Sequence, residues 1–466
     1  MLVHILNLLV VATLVFLVAT RGLERALPFL VFSMVLIPVD SLIRPAGLVD
    51  LTTHRIAIVT VGVFFLARKL SGGKFSGHRK DPLRYLMLLT IGWTTIATLF
   101  SIVPAVSLKA TIAQAVEYFF LYFLLVETIS TTETIDRISV AVVGALLVCS
   151  IFGVLEVYQS WSVMDVFPRV EHRFGTVIGP VVDAQRGVRT RSTFPHPILF
   201  GGALAFAIPL ALHLVAVSRT RARTILLWVG ILLMFLNIYK TESRGPWLAL
   251  ALSLGFLFVF YRGMRKHLIF IAALTLFVFL TRPGVLETIK NRYQATFNPD
   301  SYIGASYQYR YSLLSVSLEA VNRGLDRQLW GYGPRSFYDL GLEAEFQGTL
   351  YRFRSCDSSW IELMVETGFV GLLLIGALLL KAVFVSWQSF LRLPGPDRNL
   401  SLVLFTNGLA FCFLMSNVAI YGWGQNGYMF WIVAAMSVAY ARLRAPEIAA
   451  ARHELTQRVP ILERLS

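Results

Sequence analysis

Long runs of apolar residues constrain the fold of this chain more than any other feature of its sequence. A run of about 18 residues or more with few charges is typical of a membrane-spanning helix. Charged residues make up only 15% of the chain, whereas a soluble protein has about 25%. The sequence therefore predicts an all-α, polytopic integral membrane protein with about 12–13 transmembrane helices. The runs lie near residues 2–19, 27–45, 55–68, 84–104, 108–128, 137–159, 197–217, 224–240, 246–261, 267–281, 359–388, 400–421 and 427–443.

The net charge of +15 would point to nucleic acid if the protein were soluble. In a membrane protein it indicates basic cytoplasmic loops together with an anionic substrate, so we expect no nucleic acid as a partner. Cys149 and Cys412 fall inside apolar runs, and with Cys356 they form neither a disulfide framework nor a zinc-binding spacing. We therefore expect no metal and no cofactor.

The short basic loops predict the orientation of the chain. Residues 218–223 and 262–266 are both basic and are separated by two apolar runs, which places them on one side of the membrane. Assigning that side to the cytoplasm predicts that residues 160–196 and 282–358 face outward. The side of the N-terminus stays open. The expected regions are N-terminal transmembrane helices (1–159), an outer loop with central helices (160–281), a large periplasmic loop (282–358), C-terminal helices (359–443) and a cytoplasmic tail (444–466).

The outward-facing loops contain many arginines, although such loops are usually poor in basic residues. A guanidinium binds phosphate or carboxylate through two parallel hydrogen bonds, whereas Lys acts as a point charge. An arginine cluster at the membrane surface therefore favours a lipid with an anionic diphosphate headgroup as the substrate. The alternative is that these arginines pair with loop acids such as Asp183 and Asp326. The arginines are Arg169, Arg173, Arg186, Arg189, Arg191, Arg244, Arg282, Arg292, Arg310, Arg323, Arg327, Arg335, Arg352 and Arg354.

Two short segments place arginines directly before apolar runs. RTRSTFPHPILFGG (189–202) has Arg189, Arg191 and His196 at the entry to a run. His196 is a candidate acid, base or ligand, or else an interfacial hydrogen-bonding residue. TESRGPWLALALS (241–253) places Arg244 beside the start of a predicted helix, where free backbone N–H groups favour anions. The alternative is that Arg244 extends toward lipid headgroups.

Two further segments lie at the end of the long outer loop. GYGPRSF (331–337) ends a helical pattern, and Gly331 and Gly333 would allow the backbone to approach a ligand closely. CDSSWIELMVETGFVGLLL (356–374) places Asp357 at the outer mouth of a span. Glu366 lies about 13 Å further along the helix axis. A carboxylate inside the membrane is a candidate functional group, or a polar contact to a neighbouring helix.

Four of these segments, STFPHP, TESRG, LWGYGPRSF and DSSWIELMVETG, occur in an order that resembles the O-antigen ligase and polymerase family of bacterial membrane glycosyltransferases. The resemblance covers roughly residues 185–375. It implies a glycosyltransferase-C-like fold in the bacterial inner membrane. It also implies a metal-independent enzyme that takes a glycan from an undecaprenyl-diphosphate carrier at the periplasmic face.

The resemblance also implies roles for individual residues. Arg189 or Arg191, together with Arg244 and Arg310, would bind the diphosphate. Ligases of the family typically have a His at the position of Asp357, so this departure favours a polymerase of O-antigen or exopolysaccharide over a ligase. Asp357 would then be the general base.

The expected reaction is an inverting glycosyl transfer from the lipid-linked glycan to an acceptor glycan or lipid. Expected partners besides these substrates are membrane lipids and the proteins of polysaccharide export and chain-length control. Two other classes of function remain open on the sequence. A transporter of lipid-linked precursors would also need outer arginines and intramembrane carboxylates, and a non-catalytic scaffold of the export complex would not need the arginines.

Overall fold

A computed structural model describes most of the chain. The described residues are 2–43, 50–72, 81–167, 179–183, 187–281, 302–346, 349–422 and 424–450, with isolated positions between 284 and 298. Arg169, Arg173, Arg186, Arg282 and Arg292 lie outside them, as does most of the predicted tail.

The structure is helical almost throughout the described residues, which confirms the all-α polytopic fold. The helices are α1 (Leu2–Arg21), α2 (Leu23–Leu36), α3 (Thr53–Leu70), α4 (Arg84–Leu99), α5 (Pro104–Thr128, with a π-helical turn at Ala115–Phe120), α6 (Thr132–Tyr158), α7 (Pro197–Ala216), α8 (Arg221–Lys240), α9 (Arg244–Phe260), α10 (Arg265–Thr281), α11 (Tyr302–Val321), α12 (Leu325–Trp330), α13 (Ser359–Arg392), α14 (Arg398–Leu414) and α15 (Gly424–Leu443).

Fewer helices are long and apolar enough to cross a membrane than the sequence predicts. Six of the described helices pass this test, or seven if α9 and α10, which are bent by 112° at a short break, form one span. The predicted number of about 12–13 is too high by this measure, because several apolar runs form shorter helices. The run near 27–45, for example, overlaps α2, which has only 14 residues, because the helix ends just before Pro38.

Three short antiparallel hairpins lie between the helices. Each strand has only two to four residues, so the described fold remains an all-α one. The paired strands are β1 (Leu42–Ile43) with β2 (Leu51–Thr52), β3 (Val181–Asp183) with β4 (Gly187–Arg189), and β5 (Glu343–Phe346) with β6 (Thr349–Arg352).

Helix α7 forms the centre of the helical bundle. It is apolar on every side, and 94% of its most apolar 18-residue window is buried, as expected for a helix surrounded by other helices. Two adjacent glycines let its neighbours approach. A Cβ atom on Gly201 would lie 2.8 Å from Pro246 of α9, and one on Gly202 would lie 3.3 Å from Leu414 of α14. The first turns of α7 and α9 are therefore in direct contact.

Helix α11 and the residues that follow α12 pack against α13 through a second apolar cluster. Helix α12 docks where α13 is broken at Gly368, which has φ 70° and ψ −176°. The cluster consists of Leu313, Ala320, Val321, Tyr332, Phe337, Leu342, Phe353, Cys356, Met364 and Val365.

Candidate functional site

Four helices begin around one short segment, residues 415–422. The backbone N–H of Ser359, at the start of α13, donates to the carbonyl of Met415 at 2.8 Å. A Cβ atom on Gly245, at the start of α9, would lie 3.4 Å from Asn417. The side chain of Asn426, at the start of α15, donates to the carbonyl of Leu199 in the first turn of α7 at 3.0 Å.

This arrangement produces a favourable environment for an anion. The N-terminus of a helix has free backbone N–H groups and a partial positive charge. Motif segments lie at three of these four helix starts: STFPHP before α7, TESRG before α9 and DSSW before α13. The fold thus brings together motifs that lie up to 165 residues apart between Ser192 and Asp357.

Arg310 and Asp357 form an ion pair at the edge of this cluster. The Nε atom of Arg310 lies 3.9 Å from Oδ2 of Asp357, and the two side chains are 38% and 33% exposed. Arg310 also donates to the carbonyl of Asn417 at 3.3 Å. Asp357 directly precedes Ser358, the N-cap of α13, whose hydroxyl accepts a hydrogen bond from the N–H of Ile361.

The environment of Asp357 changes its proton affinity. Removal from water raises the pKa of its carboxyl above the usual range, and the positive charge of Arg310 acts in the opposite direction with a smaller effect. A carboxylate with a raised pKa is a stronger base, provided that it is still ionised at the working pH. Because Asp357 is partly exposed and lies next to Arg310, its carboxyl is well placed to take up and release a proton.

Arg244 is the first residue of α9, and its side chain is exposed. Gly245 and Pro246, which follow it, are buried against Asn417 and Gly201 respectively. The backbone of the turn is therefore fixed while the guanidinium faces outward. The structure thus places Arg244 at the start of a helix, and a role in binding an anion there stays a prediction.

Arg189 is buried and holds the turn that precedes Arg244. Its Nε donates to the carbonyl of Thr241 at 3.0 Å and its Nη2 donates to the hydroxyl of Ser243 at 2.9 Å. Its third nitrogen, Nη1, lies 3.9 Å from Oδ2 of Asp183. Arg189 therefore pairs with a loop acid, Asp183, which is the alternative to diphosphate binding.

Arg191 is also buried, and it lies beside the carboxylate of Glu156 near the end of α6. Its Nε is 3.8 Å from Oε1 of Glu156. Oε2 of the same carboxylate accepts hydrogen bonds from the backbone N–H groups of Arg191 and Ser192 at 2.8 and 2.9 Å, and from the hydroxyl of Thr190 at 3.1 Å. The strand before α7 is therefore fixed by a buried acid.

His196 is the N-cap of α7. Its Nδ1 accepts a hydrogen bond from the backbone N–H of Ile198 at 3.2 Å, and the side chain is half-buried. This contact requires an unprotonated Nδ1. The structure thus shows His196 in the hydrogen-bonding position that was the alternative to a catalytic one.

Gly331 and Gly333 approach other parts of the protein closely. A Cβ atom on Gly331 would lie 2.5 Å from the carbonyl oxygen of Val365, and one on Gly333 would lie 2.1 Å from Oγ of Ser101. The close backbone approach expected at these glycines is therefore made to protein atoms. Glu366 is buried in α13, and its backbone carbonyl accepts the N–H of Gly333 at 2.8 Å.

Two residues at the site were not predicted from the sequence. Glu156 could have been found, because it is an acid inside the apolar run 137–159 and such carboxylates are candidates for buried networks. Asn417, whose carbonyl orients Arg310, gives no signal because a backbone contact does not depend on the residue type. Within the described ranges, no group of three or more His, Cys, Asp or Glu side chains is arranged to hold a metal ion.

Comparison with known proteins supports the resemblance noted from the motifs. The family model described as O-Antigen ligase matches residues 229–376, a range that contains Arg244, Arg310 and Asp357. A search of curated proteins found no match to the chain. The matched range covers 148 of the 466 residues. Together with the helical architecture, it supports a multi-pass membrane protein that is similar to the O-antigen ligase family of membrane glycosyltransferases.

Proposed function

We propose that this protein polymerises repeat units of a surface polysaccharide at the periplasmic face of the bacterial inner membrane. The donor would be an undecaprenyl-diphosphate-linked glycan. The observation that carries the proposal is the Arg310–Asp357 pair, a partly exposed base and cation beside several helix N-termini. This geometry supplies the two things that glycosyl transfer needs, a proton acceptor and a site for a diphosphate.

The reaction would proceed in one displacement. Asp357 accepts the proton of an acceptor hydroxyl as that oxygen forms a bond to the anomeric carbon of the donor. The bond from this carbon to the diphosphate breaks, its electron pair leaves with undecaprenyl diphosphate, and the configuration inverts. Arg310, Arg244 and the start of α9 stabilise the growing charge on the diphosphate. Fixed positive groups where charge develops are usually the largest catalytic contribution.

Arg189 and Arg191 would act by positioning in this scheme. Arg189 holds the carbonyl of Thr241 and the hydroxyl of Ser243, and so fixes the turn that presents Arg244. Arg191 and Glu156 fix the strand that leads into His196 and α7. The diphosphate contacts are then assigned to the two more exposed arginines, Arg244 and Arg310. The proteins of polysaccharide export and chain-length control are the proposed partners.

A ligase is the second candidate, and the description of the matching family favours it. A ligase would transfer the finished glycan to a lipid acceptor instead of extending it. The acid at position 357, where ligases of the family typically have His, favours the polymerase. Both reactions would use the same displacement, so they differ in the acceptor alone.

The test uses a strain that lacks the gene and is complemented with wild type or with Asp357→Asn, and reads the glycan as a ladder on a gel. Wild type should restore long polymer, while Asp357→Asn should leave single repeats on the carrier. The matched control is Asp326→Asn, which removes an exposed loop acid from its contact with Arg327 and should restore long polymer. Long carrier-bound polymer in the uncomplemented strain would instead show a ligase.

A further inference from the structure

Arg335 is the one exposed residue in a segment that is otherwise buried. Every other residue from Gly331 to Phe337 is buried, whereas the Arg335 side chain is exposed. Its backbone has φ 65°, a left-handed conformation that is uncommon for a residue with a Cβ atom. Such strain persists only where the surrounding structure imposes it, and it is concentrated at functional sites.

The structure fixes the backbone on both sides of Arg335. The N–H of Gly333 donates to the carbonyl of Glu366 at 2.8 Å, and the N–H of Ser336 donates to the carbonyl of Gly333 at 3.1 Å. The hydroxyl of Ser107, in the first turn of α5, donates to the carbonyl of Pro334 at 2.7 Å. The strained conformation is therefore imposed from two helices, and it leaves the side chain of Arg335 at the surface.

The guanidinium of Arg335 contacts the same segment as Arg310, but at its other end. Its Nη2 donates to the carbonyl of Gly422 at 3.1 Å, whereas Arg310 donates to the carbonyl of Asn417. Residues 417 and 422 are five positions apart, so their Cα atoms are at most about 18 Å apart. The contact with Gly422 uses one of the five N–H donors that an arginine has.

We propose that Arg335 binds an oxyanion of the acceptor substrate, at a subsite separate from the Arg310–Asp357 pair. The inference rests on the proposed function, because only a transfer reaction brings a second glycan to this face. The planar fork of an arginine suits phosphate and carboxylate equally. The oxyanion is therefore either the carrier diphosphate of the incoming repeat or the carboxylate of an acidic sugar.

The test compares purified wild type with Arg335→Gly. Glycine adopts φ 65° without a Cβ penalty, so relief of strain offsets the lost bond to Gly422 and the melting temperature should stay close to that of wild type. The control is Arg323→Ala, which removes an exposed arginine paired with Glu319. Native mass spectrometry counts bound undecaprenyl diphosphate, and titration measures the dissociation constant of glucuronate.

If the oxyanion is a diphosphate, wild type and Arg323→Ala should bind one more lipid than Arg335→Gly. If it is a carboxylate, the lipid count should not change and glucuronate should bind Arg335→Gly at least about tenfold more weakly. The proposal is rejected if neither quantity changes, or if the melting temperature of Arg335→Gly falls without any loss of binding. These experiments measure binding and not glycosyl transfer. A failure of the proposed function is therefore distinguishable, because wild type would then lack transfer activity in a separate assay.

Discussion

Asp357 and Arg310 define the site at the scale of single residues. Burial raises the pKa of the Asp357 carboxyl, and the charge of Arg310 lowers it with a smaller effect, so Arg310 influences the ionisation of Asp357. The sequence could indicate both as candidates. It left pairing of the outer arginines with loop acids such as Asp183 open as an alternative. It could not decide that Arg189 and Arg191 are buried, because their contacts with Asp183 and Glu156 form only in the folded structure.

The pair predicts a change in the pH dependence of activity. A general base works only when ionised, so kcat/KM falls as the pH drops through the pKa of Asp357. Arg310→Gln removes the charge that lowers this pKa, so the pKa rises further and the acid limb of the pH–rate profile moves to higher pH. Arg323→Gln should leave the limb in place. An unchanged limb in Arg310→Gln would mean that another group is the base.

Glu156 predicts a large effect on stability. Removing one partner of a buried ion pair costs about 3–5 kcal/mol, because a charge is left uncompensated. Glu156→Ala should therefore lower the thermal unfolding temperature in detergent and the amount of protein in the membrane. Glu133→Ala, on the same helix, removes an exposed partner of Arg137 and should change little. Similar unfolding temperatures for the two variants would contradict the structural role of Glu156.

At the scale of elements, the helix α13 is divided by its break at Gly368. The break accepts the end of α12 and the turn at Gly331, and so ties the outer loop to the membrane-spanning helices. The long apolar run predicts a helix here, and the glycine could have suggested a kink. The docking of α12 could not be predicted, because the contacts are to the carbonyl of Leu329 and to other backbone atoms.

Two glycines of α13 predict opposite outcomes for the same substitution. A Cβ atom at Gly368 would lie 2.1 Å from the carbonyl oxygen of Leu329 at a positive φ, whereas one at Gly376 would lie 3.7 Å from Trp360 in an ordinary helix. Gly368→Ala should cost at least about 2 kcal/mol from the left-handed conformation and the clash. Gly376→Ala should be neutral or raise stability by up to about 1 kcal/mol. Thermal unfolding in detergent measures both, and an equal effect would refute the packing described for the break.

At the scale of the whole molecule, the helix starts gather at one end of the bundle. The motif segments before α7, α9 and α13 meet around residues 415–422, while the basic loops 218–223 and 262–266 lie at the opposite ends of α7, α8 and α9. The sequence predicts this polarity through its charge distribution. It could not predict the number of spans, because apolar runs do not show where a helix ends within them.

The polarity predicts which surfaces are accessible from each side of the membrane. Arg219→Cys and Tyr338→Cys place thiols at exposed positions of a basic loop and of the outer loop. In a variant without Cys149, Cys356 and Cys412, a membrane-impermeant maleimide added to spheroplasts should label Tyr338→Cys and not Arg219→Cys. Inside-out vesicles should give the reverse result. Labelling of both thiols from one side would reject the assigned orientation.

The central claim is that Asp357 performs the proton transfer of a glycosyl transfer, and a single-turnover measurement tests it most directly. Purified wild type and Asp357→Asn are each saturated with undecaprenyl-diphosphate-linked repeats, and the release of undecaprenyl diphosphate is followed together with donor binding. The predicted result is a rate about 10²–10⁴-fold lower in Asp357→Asn with donor binding retained. Equal rates, or a loss of rate explained entirely by lost binding, would contradict the claim.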